Sequence, residues 1–309
     1  PPGINGVVPQ VGLVYNSQGG NGMAGYGWNI SGVSAITRIP RTKFHDGIMG
    51  GVNLDANDRF ALDGQRLILK SGTPYGAAGT VYETESFSNT KITAIGVSPL
   101  GANYGPASFL VEYPDGSKAE YGTSVDSRSI TTWSITYWEN PQGIRISYNY
   151  ILVNNNLSIE YIKYGSIGVA APINQIKFVY KSRLVTEQVY VAGQSVLTNT
   201  ILSEIQVSSN TVGFRNYVLE HNNNNATVAY EKLTKITEKN GINTLSYNPT
   251  VFTYGNTSDS ISYANITTSL NVGNINASNA VSVSGDFDGD EKMDFILYPT
   301  NGASAKSKY

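Results

Sequence analysis

The sequence predicts an all-β protein, an extended antiparallel sheet assembled from hairpins. Three observations lead there. Apolar and polar residues alternate over short runs, which is the period of a half-buried strand. The runs are punctuated by Asp-Gly, Pro-Asp-Gly and Asn-rich signals, the chemistry of tight turns. Strand, polar turn and strand recur every few tens of residues without a strict period.

Taken in order, Val11, Leu13 and Tyr15 form one strand face, and glycines at 19, 20, 22, 25 and 27 follow. A glycine-rich loop after a strand can cradle phosphate only if a helix follows. Residues 30–40 have strand character instead, so a nucleotide site is not expected. Residues 60–69 read as two strands hinged at Asp63-Gly64, a favoured hairpin pair. Residues 111–122 repeat the design around Pro114-Asp115-Gly116. After a turn at 139–143, Ile144, Ile146, Tyr148 and Tyr150 alternate with Arg145, Ser147 and Asn149, and Ile176, Phe178 and Tyr180 behave alike. Segments 232–237 and 242–247 are expected to pair around Lys239-Asn240-Gly241, and the Asn runs at 154–156 and 222–225 are expected at loop tips.

Composition narrows the function classes. The chain has 309 residues, a net charge of -2, 14% charged residues and no cysteine, so disulfides and thiolate chemistry are absent. With a pI near 5.8 there is no electrostatic case for nucleic acid or an anionic membrane. No apolar run approaches the roughly 20 residues of a spanning helix. The abundance of Asn, Ser, Thr, Gly and Tyr is that of an extracellular β-protein.

One stretch demands a chemical explanation. Asp286, Asp288 and Asp290 alternate, Gly289 permits a sharp turn between them, and Asp294 follows at the ninth loop position. With the carbonyl of Lys292 at the seventh, these residues form the oxygen ladder of a calcium loop. The twelfth position, where a helix-loop-helix hand carries a bidentate glutamate, is Leu297, and residues 293–298 read as a strand. The ion expected is Ca2+ in a structural role; a metal-free acidic turn is the alternative.

Catalytic signals are thin. His45 and His221 are the two histidines, and no Gly-x-Ser-x-Gly elbow accompanies the His45-Asp46 pair. A glycosidase needs only two facing carboxylates; Glu112, Asp115, Glu120 and Asp126 are candidates, all in hairpins where solvated charge is the ordinary explanation. The 21 tyrosines, with Trp28, Trp133 and Trp138, would suit sugar stacking or cross-strand core pairs, and core pairs are favoured. Trp28 is expected to anchor the glycine-rich loop.

Two family resemblances follow from these residues. Residues 283–295 resemble the calcium-loop blade motif of FG-GAP/VCBS repeats, which build β-propellers. Pro9-x-Val11-x-Leu13-x-Tyr15-Asn16-Ser17, Gly20-Asn21-Gly22, Gly25-x-Gly27-Trp28-x-Ile30-Ser31-Gly32, Ile36-x-Arg38 and residues 58–68 resemble the SpvB/TcaC-type N-terminal domain. That domain opens the B components of Tc toxins and many bacterial Rhs/YD-repeat proteins. The hairpins at 113–116 and 140–148 are similar to degenerate YD repeats without the full signature.

The resemblance implies a β-rich domain over 1–257, a Ser/Asn/Thr-rich connection over 258–284, and a partial calcium-loop repeat over 285–309. It implies the start of an Rhs/Tc-B-like β-shell leading into a propeller-type blade. The role implied is a non-catalytic segment of a secreted or cell-surface bacterial toxin or effector, helping a shell encapsulate or present a cargo. Implied partners are the remaining repeat and propeller parts of the same polypeptide, and secretion-machinery or toxin-complex proteins. A carbohydrate-binding adhesin, with surface glycans as partners, and a glycoside hydrolase are the alternatives.

Overall fold

The computed structural model of the chain describes residues 1–222, 230–255, 280–287 and 293–299. The chain divides into two units, Pro1–Asp259 and Ser260–Tyr309.

The first unit begins with a small sheet of β1 (Gly12–Tyr15), β2 (Asn21–Gly22), β3 (Gly25–Tyr26) and β4 (Trp28–Ser31), ordered β1-β4-β3-β2. Next come β5 (Ala35–Ile39), a one-turn helix α1 (Lys43–Asp46), β6 (Arg59–Leu62), β7 (Gln65–Ser71) and β8 (Val81–Thr84). β9 (Lys91–Ile95), β10 (Ser108–Glu112), β11 (Lys118–Tyr121) and β12 (Thr132–Glu139) complete the run. β12 bonds to β11 on one edge and β5 on the other, so β5 to β12 close into an eight-stranded antiparallel barrel.

Closure puts alternate side chains inside, and a barrel of this size is just wide enough for them to fill it. Tyr82, Ile92, Ala94, Phe109, Val111, Ala119 and Tyr121 are all fully buried. At one end Phe60 meets Phe109 and Trp133 edge-on, each with ring centroids 5.3 Å away, and Tyr75 stacks on it at 5.5 Å. The interior is a packed core, not a pore.

β12 is also where a second body of sheet departs. Its first residues, Thr132 to Ser134, pair with β5, while Tyr137 to Glu139 pair with β13 (Ile144–Val153) along the same edge. From β13 an antiparallel meander runs through β14 (Asn156–Ile167), β15 (Asn174–Val191), β16 (Gln194–Ser209), β17 (Val212–Asn222), β18 (Lys232–Asn240) and β19 (Thr250–Val251). Ile144, Ile146, Tyr148 and Tyr150 are buried along β13, as the alternation predicts. One buried cluster continues from the barrel into this extension.

Four hairpins turn on two residues that both have positive φ: Asp63-Gly64, Asn154-Asn155, Ala192-Gly193 and Asn210-Thr211. That is the turn whose twist matches the strands it joins. The Asp63-Gly64 hinge is therefore as expected, and Asn154-Asn155 supplies a loop tip. The expected strand over 242–247 does not form. Asn240 Oδ1 accepts from the Thr244 and Leu245 N–H groups, so its side chain takes donors that a ladder would use. Only an isolated Lys239–Ser246 bridge remains, and β18 pairs with β19 instead. The Asn tip at 223–225 lies outside the described residues.

The small amino-terminal sheet is fastened to the extension through its β2–β3 hairpin. The Arg183 guanidinium donates to Asn21 Oδ1 and to the Gly22 carbonyl. Leu202 N–H donates to Met23 O at 2.9 Å, and Tyr26 N–H to Glu231 O at 2.8 Å. β15 and β16 lose register between Ser182 and Glu187, a bulge that re-aims Arg183. Trp28 Nε1 donates to Tyr254 Oη at 2.8 Å, and its ring lies 5.2 Å from Tyr15, which makes it the anchor expected of it.

His221 completes this fastening. Its Nε2 lies 3.0 Å from the Ala24 carbonyl, an acceptor only, so Nε2 carries the proton. Among the described residues its buried Nδ1 has no partner. Burial holds the imidazolium below the usual histidine range; the Ala24 bond and Glu231 oppose this, whereas Lys181 and Arg183 add to it. A folded pKa below the unfolded one means the folded chain binds fewer protons. The stabilisation from neutral His221 is thus full above about pH 6.5 and is lost progressively as pH falls from there through the lower folded value. The melting temperature is expected to fall between pH 7.5 and 5.5, and His221→Gln, which keeps a donor for Ala24, to flatten the slope. Equal slopes in both proteins would remove His221 as the cause.

In the second unit, β20 (Ala280–Gly285) and β21 (Asp294–Pro299) pair antiparallel. The strand expected over 293–298 is therefore present.

Candidate functional sites: a cation loop and a loop-lined cleft

The β20–β21 hairpin closes on the Gly285–Asp294 pair, so Asp286 and Asp294 stand at the two ends of its loop. Phe287 N–H donates to Asp294 Oδ2 at 2.9 Å, which turns that carboxylate toward the loop backbone. Asp288, Asp290 and Lys292, the remaining ligands expected from the sequence, lie outside the described residues. Two carboxylates at the mouth of an eight-residue loop rich in further carboxylates suit a hard cation held by oxygen. Asp286 and Asp294 would hold it from the two strand ends.

The carboxylates weighed for catalysis each serve a local structural bond. Glu112 accepts from Lys91 Nζ at 2.7 Å, and Asp115 receives both the N–H and hydroxyl of Ser117. Glu120 accepts from Tyr137 Oη at 2.9 Å, a bond that, after desolvation, helps push the phenol up to about 12. Asp126 accepts from the Tyr150 N–H at 3.1 Å. His45 caps its own helical turn through Thr42 and meets Glu85 at 2.9 Å across an exposed surface. No group of three or more His, Cys, Asp or Glu that could hold a metal occurs among the described residues.

A second site was not visible in the sequence. Where the aromatic end of the barrel meets the hairpin tips of the extension there is a cleft of about 490 Å3. Five loop segments border it, through residues 53–54, 98–100 with Tyr104, Val125 with 128–130, the β13–β14 tip and the β15–β16 turn, and Arg38 of β5 and Trp133 of β12 complete the lining. The two tips are tied together, Leu197 N–H to Asn154 O at 3.1 Å and Asn155 Nδ2 to Ser195 O at 2.9 Å.

Arg38 lies at its base and is joined at 3.1 Å to Asp58 behind it, both side chains almost wholly buried. Arg38 also donates to the carbonyls of Ile130 and Tyr104 and lies 5.1 Å over the Trp133 ring. Desolvation pulls its pKa down from the usual arginine value, and Asp58 opposes the shift. Asp58 in turn accepts from Asn53 N–H at 2.8 Å, fixing the loop in which Leu54 takes φ of 58°. A neighbouring pair of cations, Arg59 and Arg66, converges on Asp46, which their charges and the Thr42 N–H hold below the usual carboxylate range against the cost of burial.

These arginines and aspartates fall within the segment that comparison singles out. A family of known proteins, SpvB, the Salmonella virulence plasmid 65kDa B protein, matches residues 1–78. No curated protein sequence matches the chain. Among solved structures, the N-terminal domain of effector protein SpvB from Salmonella typhimurium strain LT2 superposes with a TM-score of 0.60 at 16% identity, covering 79% of this chain and 95% of that one. The fold is that of the SpvB N-terminal domain. The same fold lies within TcdB2-TccC3-Cdc42, at TM-score 0.64 and 16% identity over 82% of this chain. It lies also within the Photorhabdus luminescens Tc holotoxin pore, at 0.61 and 15% identity over 89% of this chain. In each of these two the chain spans only 15% of the matched polypeptide. The SpvB and Tc likeness expected from the sequence is thus found in the fold.

Proposed function

We propose that the chain is a non-catalytic structural segment of a larger bacterial polypeptide of the Rhs/Tc-B kind, secreted or held at the cell surface. There it would form part of a shell that encapsulates or presents a cargo region. The observation that carries this reading is the shared fold: the SpvB N-terminal domain is nearly covered by it, and the much longer TcdB2-TccC3 chain contains it as a 15% portion. The local physics supports a wall. Among the described residues fifteen strands form one sheet and four of its hairpins turn on two residues, and such tight connections leave few mobile openings. Its partners would be the following parts of its own polypeptide and other toxin-complex proteins. No helix among the described residues is long and apolar enough to cross a membrane.

Protease protection tests this reading in the full-length polypeptide that carries the chain. An enclosed region should resist digestion while the wall is folded and become cleavable when Asp58→Ala destabilises the barrel. Digestion at one rate in both cases would overturn the shell and return attention to glycan binding.

We further propose that Ca2+ is the structural ion of the 286–294 loop. In a thermal melt, calcium at a hundred times its dissociation constant should stabilise the second unit by about 2.7 kcal/mol. Chelator and Asp288→Ala should each abolish the gain; a gain that survives Asp288→Ala would place the ion elsewhere.

A further inference from the structure

We propose that the loop-lined cleft binds a small organic anion, a carboxylate or comparable acid carried on an apolar or aromatic body. Its size is in the range of ligand pockets, about 300–1,000 Å3. Its lining contains two arginines and no acidic residue. Their charges are not equivalent. Arg38 is neutralised by Asp58 and donates to two carbonyls besides. Arg128 makes one bond, Nη1 to the Ala107 carbonyl at 2.9 Å, and among the described residues no carboxylate lies within ion-pair distance of it. The cleft therefore carries one uncompensated positive charge in a chain whose net charge is -2.

The surroundings raise the value of that charge. Leu54, Leu100 and Leu152 contribute apolar wall, and Trp133 closes the end against the barrel core. A guanidinium beside such walls meets an anion in a medium of lower polarity than water, where a charge-assisted bond gains strength. Guanidinium and carboxylate also match in geometry, two donors to two oxygens. Loops from distant parts of the chain converge on this cleft, the surface setting in which a rigid scaffold commonly places binding residues.

The test uses two probes of equal shape, 1-naphthoate and its neutral counterpart 1-naphthamide, titrated into the intact chain by calorimetry or by NMR line shifts. Naphthoate is expected to bind about tenfold or more tightly than naphthamide, the factor a charge-assisted bond supplies. Arg128→Gln should erase that preference. Because Arg128 also supports Ala107, a second variant leaves it in place: Leu152→Trp fills the cleft from the hairpin tip and should abolish binding of both probes. Equal affinity for the two probes, no binding of either, or a preference that survives Arg128→Gln or Leu152→Trp would each overturn the proposal.

Discussion

Asp58→Ala should lower the stability of the first unit by about 3–5 kcal/mol, the cost of leaving one buried charge without its partner. The side chains of Arg38 and Asp58 are 2% and 0% exposed, so the substitution leaves a buried guanidinium without its carboxylate. Arg38 would remain fixed over Trp133 by the Ile130 and Tyr104 carbonyls, still charged and now unpaired. The Asn53 N–H would lose its acceptor as well, which loosens the loop bordering the cleft. Denaturant unfolding at neutral pH reads the loss directly. Arg38→Ala should cost a similar amount, and the double variant less than the sum, since both changes remove one interaction. A loss below about 1 kcal/mol would mean that the pair is hydrated and that the barrel does not depend on it.

Arg183→Ala should cost about 3 kcal/mol, and its effect should be felt far from the barrel. Arg183 is nearly buried and donates to Asn21, Gly22 and the Thr200 carbonyl, so three acceptors are stranded when it goes. Bonds to a charged donor are worth about 1.5–3 kcal/mol each and do not add fully. Glu231 accepts the Leu184 N–H and lies near Arg183, so its charge would lose a favourable neighbour. The β2–β3 hairpin should then detach. Chymotrypsin would report it as new cleavage after Tyr26, a residue that in the folded chain is held by Glu231 and stacks on Tyr230 at 5.3 Å. Unchanged cleavage with unchanged stability would show that the remaining bonds suffice to hold the amino terminus.

What the sequence made legible was local. Asp63-Gly64 announces its turn because two adjacent residues decide it, and Ile144 to Tyr150 announce their buried face by period alone. The 242–247 segment misleads for a related reason. Ile242, Leu245 and Tyr247 look like strand residues, yet one side chain, Asn240, outcompetes the ladder. Closure was not legible, because β12 meets β5 across nearly a hundred residues and then passes the same edge to β13. The motif residues Arg38 and Asp58 could be recognised, but that they are one buried ion pair depends on that closure. The Arg128 cleft carries no sequence signal at all, since its five bordering segments are neighbours only after the barrel and the extension have formed. For the cation loop the sequence remains the larger part of the argument, with Asp286 and Asp294 placed at the strand ends.

The most direct test of the structural reading is a single-particle reconstruction of the full polypeptide that carries this chain. The sheet from β5 to β19 is expected to run on into a closed wall, with one face turned to an enclosed space. A first unit standing alone on a linker, with its β18–β19 edge in solvent and no enclosure beside it, would overturn the shell.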